Sequence, residues 1–235
     1  MAQEKMTEQF KTFEERIGIR FKKVELLQQA FTHRSYLNEH REEGLEHNER
    51  LEFLGDAVLE LIVTRYLYEK FPTHPEGDLT AYRAALVNAV TLSEVASEVG
   101  MNDYLLLSKG EAKDTGRARA ILLANAIEAL IGAIYLDQGY DAAATFVEKY
   151  LFPKTDEIMR DKLWRDPKST LQEKIQEAEG ATPYYSVVRE TGPDHDKQFI
   201  VGVYVKDMLL AQGSGKSKQE AEQDAARNAL EETGW

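Results

Sequence analysis

The chain has no cysteine. That excludes disulfides, thiolate metal sites and cysteine nucleophiles, and it fits a reducing compartment. An apolar leader is also missing: MAQEKMTEQFKTFEERIG is charged throughout, so the expected location is the cytoplasm. The longest apolar run, AILLANAIEALIGAIYL (residues 120–136), is nearly long enough to span a membrane, but Asn125 and Glu128 interrupt it. A carboxylate at bilayer depth is expensive, so the run reads as a helix buried in protein, with no membrane partner. Buried there, Glu128 needs something to compensate its charge. A surplus of positive charge is lacking too: 29 basic residues face 41 acidic ones, a net charge of −12. Residues 168–235 hold 8 basic and 12 acidic residues and the rest hold 21 and 29, so neither part is basic overall. Any contact with phosphate must then come from local clusters. The chain shows no internal repeat and no low-complexity tract.

Up to about residue 150 the apolar pattern has helical period, in KVELLQQAFTHRSYL, NERLEFLGDAVLEL, LTAYRAALVNAVTLSEVASEVG and the long apolar run. Residues 1–151 are therefore expected to form an all-α domain. Residues 152–167, charged and containing two prolines, read as a last short helix and a linker. In residues 168–235 the period changes. A short helix ending at Gly180 precedes PYYSVVRE, KQFIVGVYVK and MLLAQGSG, three strands rich in β-branched and aromatic residues; a second helix follows, with Ser217 as its N-cap. The order α-β-β-β-α describes a small antiparallel sheet with both helices on one face, so the fold class is α+β.

NERLEFLGDAVLEL (residues 48–61) places acids in a segment that otherwise reads as a buried helix. Glu49, Glu52 and Asp56 lie at i, i+3 and i+7 and share one face, which Glu60 extends, while Leu51, Leu54, Val58 and Leu61 take the other. Alone, this pattern is equally that of a solvated acidic face. Asn125 and Glu128, at i and i+3, are neighbours on the apolar helix. If the two helices pack together, Glu52, Asp56, Asn125 and Glu128 form an oxygen-only cluster. Without a cation it repels itself and raises its members' pKa values. Oxygen donors without His or Cys select Mg²⁺ or Mn²⁺, which activate water and hold phosphate oxygens. His33, His40, His47, His74 and His195 form no evident pair for acid–base cleavage through a 2′-hydroxyl. His33 reads as a structural hydrogen-bonding residue.

ERLEFLGDA (residues 49–57) resembles the motif of the ribonuclease III family. LLQQAFTHRSY, EGDLTAYRAALV and LANAIEALIGAIYLDQG resemble its neighbouring segments in the same order. Residues 170–232 resemble a double-stranded RNA-binding domain, most clearly in GPDHDKQF and GSGKSKQEAEQDAA. The resemblance implies an Mg²⁺-dependent endoribonuclease (Mn²⁺ substituting) that hydrolyses double-stranded RNA, leaving 5′-phosphate and 3′-hydroxyl ends with short 3′ overhangs. It also implies roles in ribosomal and messenger RNA processing. The implied metal ligands are Glu52, Asp56, Glu128 and Asn125, with Asp56 and Glu128 central to catalysis. At position 125 the family usually has Asp, so metal affinity should be lower here, and a weakened or inactive RNA-binding relative is the alternative. A phosphohydrolase of small nucleotides is a third reading, for which the second domain has no use.

By the same resemblance Glu49 and Glu76 sit near the RNA and the outer shell of the site, although both also fit ordinary surface acids. Phe53 is implied to enter a socket of a second subunit in a homodimer; an ordinary core aromatic fits the sequence equally well. Gly55 costs about 1 kcal/mol in a helix interior, which a close backbone approach or a local kink would explain. A-form RNA exposes only its minor grooves and phosphates to a small domain. The resemblance assigns Gln172 and Glu173 to one minor groove and the loop of Gly192, Pro193, Asp194 and His195 to the next. Lys216, Ser217 and Lys218 suit phosphate at a helix N-terminus. Gln219 stands where a further lysine is common, and Asp194 and Asp196 make the loop acidic, so this domain alone should bind weakly.

Overall fold

A computed structural model describes the chain apart from residues 1, 41–43, 161–163, 165 and 194–196, with side chains from Gln9 onward. Two compact units divide between Trp164 and Arg165.

Among the described residues, the first unit is helical: α1 (Ala2–Ile17), α2 (Val24–Phe31), α3 (Arg34–Glu39), α4 (Glu49–Lys70), α5 (Glu76–Leu86), α6 (Ala89–Glu98), α7 (Arg117–Gln138), α8 (Tyr140–Tyr150) and α9 (Lys154–Arg160). Helix α7 is the apolar run, long and apolar enough to cross a membrane by length and composition. It is enclosed instead by α2, α4, α6 and α8. Ile127, Leu130, Ile131 and Ile134 are buried along it and meet Leu59, Val63 and Leu67 of α4 in one core. Phe13, Phe31 and Tyr104 close one side of that core, with ring centroids 4.9–5.7 Å apart.

Glycine sets how closely α4 and α7 approach. A Cβ on Gly55 would overlap the Glu128 carbonyl and stand 2.9 Å from the Gly132 nitrogen; one on Gly132 would overlap the Leu51 carbonyl. Backbone meets backbone here, so the close approach, and not a kink, accounts for Gly55. The crossing also turns α4: its buried face runs through Leu51, Gly55, Val58, Leu59, Ile62, Val63 and Leu67. Leu61, expected with the core, is 58% exposed.

Helix α9 is the short helix expected ahead of the linker. Residues 152–160 pack onto the first unit: Phe152 stacks on Tyr66 at 3.6 Å, Thr155 and Ile158 are buried, and Lys154 reaches Glu98 at 2.7 Å and Glu94 at 3.3 Å. Trp164 meets Tyr82 edge-on. Asp156, Glu157 and Arg160 remain exposed on this docked helix.

The second unit has α10 (Pro167–Glu179), β1 (Tyr184–Thr191), β2 (Gln198–Val205), β3 (Met208–Gly215) and α11 (Lys218–Thr233). The sheet is antiparallel in the order β1-β2-β3. Leu171 and Ile175 of α10 and Ala225, Ala226 and Ala229 of α11 pack with Val203, Val205 and Ala211, so both helices cover one face as expected. A Cβ on Gly213 would overlap the α11 backbone at Ala225, so the sheet and this helix also meet closely.

Replacing Gly55 with alanine should destabilise the protein by about 2 kcal/mol or more, because helix backbone cannot move aside as a side chain can. Denaturant unfolding of the Gly55→Ala variant measures this; unchanged stability would show that the helices separate freely.

Candidate active site

The first turn of α4 is anchored from outside the helix. The Asn48 N–H donates to the Thr32 carbonyl at 2.9 Å, and the buried Asn48 amide donates to the Ala30 carbonyl at 3.3 Å. Four residues further on, Glu52 is half-buried, and Asp56 follows it, exposed, one turn later. Asn125 and Glu128 are both half-buried on α7, and Glu128 lies within electrostatic reach of Asp56 and Glu52. The close crossing at Gly55 puts the Glu128 backbone directly against α4.

These acids act on one another. Burial, then the charges of Asp56 and Glu52, pushes the Glu128 carboxyl up to about 7. Burial, then Glu49 and Asp56, also raises Glu52. Among the described residues, no three His, Asp or Glu side chains are gathered tightly enough to hold an ion as they stand. The charge of Asp56 nonetheless reaches both Glu52 and Glu128 and raises them. Glu60 does not extend the cluster but lies 4.0 Å from Arg83 of α5.

Of the two outer acids, Glu49 belongs to this row and Glu76 does not. Glu76 accepts a hydrogen bond from Thr80 within α5 and is not among the charges that raise Glu52 or Glu128. Glu49 is bracketed by Arg34, 3.3 Å away, and His47, 3.8 Å away. Arg34 carries no signal in the sequence, since nothing in its spacing joins α3 to α4, whereas His47 precedes Glu49 by two residues. Phe53 is 81% exposed on α4, so it is not a core aromatic of this chain. His33 caps α3: its Nδ1 accepts from the Ser35 N–H and lies 2.8 Å from the Ser35 hydroxyl. Burial lowers its pKa, against the pull of Glu111 and Glu49. It holds the fold, and His47 is near enough to add to the lowering.

In the second unit Gln172 and Glu173 are exposed on α10, and Gly192 and Pro193 are exposed after β1; Asp194 and His195 lie outside the described residues. Ser217 accepts from the Glu220 N–H and Glu220 accepts from the Lys216 N–H, a reciprocal cap that sets the start of α11. The Ser217 hydroxyl is thereby engaged by its own helix, with Lys216 and Lys218 exposed on either side.

The raised Glu128 carboxyl gives a pH test. Its folded pKa of about 7 lies above the ordinary 4.5, so the folded state holds the proton more tightly than the unfolded chain. The associated stability is present below pH about 4.5 and lost as pH rises through about 7. In a chelator, Glu128→Gln should remove that loss and be more stable by about 1–2 kcal/mol at pH 8, after allowance for partial exposure. Denaturation across pH measures it, and parallel curves for parent and variant would refute it.

A family profile described as "Ribonuclease-III-like" matches residues 23–155, and one described as "Double-stranded RNA binding motif" matches residues 167–233. The chain is 49% identical to "Ribonuclease 3" of Bacillus licheniformis over 97% of its length and 91% of that protein. It is 49% identical to "Ribonuclease 3" of Bdellovibrio bacteriovorus over 94% of each. Among solved structures, the nuclease domain of ribonuclease III from Campylobacter jejuni is 40% identical, with a TM-score of 0.55, covering 60% of this chain and 96% of that one. Both profiles match in order along one chain, and relatives of nearly the same length share about half of its residues, so the chain belongs to the ribonuclease III family of endoribonucleases.

Proposed function

We propose that the protein hydrolyses double-stranded RNA with Mg²⁺, or with Mn²⁺ in its place, held by Glu52, Asp56, Glu128 and the amide oxygen of Asn125. The observation that carries this reading is the Glu128 carboxyl, pushed up to about 7 by burial and by Asp56 and Glu52. A cation there supplies water activation and neutralises phosphate charge. Asp56 on α4 and Glu128 on α7 would hold the ion and, with it, the attacking water. Water attacks the phosphorus in line and the 3′-oxygen leaves, giving 5′-phosphate and 3′-hydroxyl ends.

Phe53 supports a homodimer, since an aromatic ring 81% exposed on a well-packed helix calls for a cover. The Campylobacter jejuni nuclease domain is described as having a region involved in dimer formation. Two sites, one per subunit and one per RNA strand, would leave short 3′ overhangs. In the second unit Gln172, Glu173, Gly192 and Pro193 suit minor grooves, and Lys216, Ser217 and Lys218 suit phosphate. A cytoplasmic enzyme processing ribosomal and messenger RNA fits this reading.

A second reading rests on Asn125. An amide brings no charge, so a relative that binds RNA but cuts it poorly is the alternative.

Long duplex RNA incubated with Mg²⁺ should be cut, a chelator should stop the reaction, and Glu128→Gln should slow it at least about a hundredfold. RNA left intact across a range of Mg²⁺ and Mn²⁺ concentrations would hand the case to the binding reading. Asn125→Asp should lower the Mg²⁺ concentration for half-maximal cleavage; an unmoved midpoint would show that this position does not ligate.

A further inference from the structure

The acid row sets an electrostatic problem for a polyanionic substrate. Glu49, Glu52 and Asp56 follow one another at i, i+3 and i+7 on α4, and the Glu128 backbone lies against the same helix at Gly55, so the groove between α4 and α7 is lined by acids. An RNA strand brought against it needs a cation at the edge of the row. Arg34 stands there: its Nη1 lies 3.3 Å from Glu49 Oε1, while His47 Nδ1 lies 3.8 Å from the other carboxylate oxygen.

The backbone that carries Arg34 is fixed relative to α4. The Thr32 carbonyl accepts from the Asn48 N–H at 2.9 Å, and buried Thr32 bridges to Leu106. The His33 N–H donates to the Leu106 carbonyl at 3.0 Å. Arg34 and Glu49 therefore leave one rigid junction side by side.

Stability does not account for the pair. The Arg34 side chain is 68% exposed and that of Glu49 46%. At such exposure an ion pair contributes about 0–1 kcal/mol. The contact with Glu49 uses Nη1, and a guanidinium carries further N–H donors in a planar fork that matches two phosphate oxygens.

Resting on the endonuclease reading above, we propose that Arg34 is a substrate-binding residue whose guanidinium, steadied by Glu49, takes an RNA phosphate flanking the cleaved bond. Glu49 then acts as a positioning residue, turning a cation toward the substrate at the rim of an acidic cleft.

The test uses the full chain, long duplex RNA and Mg²⁺. Arg34→Ala should raise KM about tenfold, leave the thermal midpoint and the Mg²⁺ requirement unchanged, and make the dependence of log(1/KM) on log salt shallower by about 1, the value of one phosphate contact. Arg34→Lys should keep the salt slope, because the charge remains, while KM rises about threefold because the fork is lost. Glu49→Gln should raise KM in the parent but not in Arg34→Ala. An Arg34→Ala enzyme with parental KM and salt slope would overturn the assignment, and so would a loss of activity matched by a lowered thermal midpoint. If the parent cuts RNA and Arg34→Ala is silent, only the Arg34 assignment falls. If the parent neither cuts nor binds duplex RNA, the endonuclease reading fails and takes this inference with it.

Discussion

Backbone contact between α4 and α7 is the constraint on which the rest of the structure depends. Gly55 and Gly132 let the two helices approach until a Cβ on either would overlap the other's carbonyls. Each glycine costs about 1 kcal/mol in a helix interior. In return the leucine and isoleucine faces of both helices close into one core without a gap. The same closeness fixes where the acids stand, because Glu128 is the residue whose carbonyl lies against Gly55. Packing and chemistry are thus set by one crossing.

The crossing makes an acid cluster that the fold by itself does not favour. A half-buried carboxyl facing two others is disfavoured in its charged form, and the raised Glu128 and Glu52 record that cost. Hydrophobic burial elsewhere along α4 and α7 is large enough to hold the arrangement, which is the usual relation between a strained site and the scaffold around it.

The second unit meets RNA with little net charge to spare. Lys168, Lys197, Lys206 and Arg227 are each paired with a neighbouring acid. Lys216 and Lys218 flank the α11 N-terminus, where the cap of Ser217 and Glu220 fixes the helix start. Recognition in such a unit depends on spacing matched to the grooves of A-form RNA more than on bulk attraction. Placement does what composition does not.

Much of this was legible in the sequence. Helical period up to residue 150, the alternating strands beyond 183 and the caps around them determined an all-α unit followed by α-β-β-β-α, because local spacing decides which residues share a face. The same spacing put Glu49, Glu52 and Asp56 in a row and Asn125 beside Glu128. What the tertiary structure alone decided was everything that joins one element to another: that α4 meets α7 at Gly55, that Leu61 and Phe53 are left outside the core, that α9 docks on α5, and that Arg34 pairs with Glu49. The physical reason is range. Periodicity carries information over a turn or two of one helix, whereas these contacts arise between residues distant along the chain, whose meeting is fixed only when several buried faces are satisfied at once.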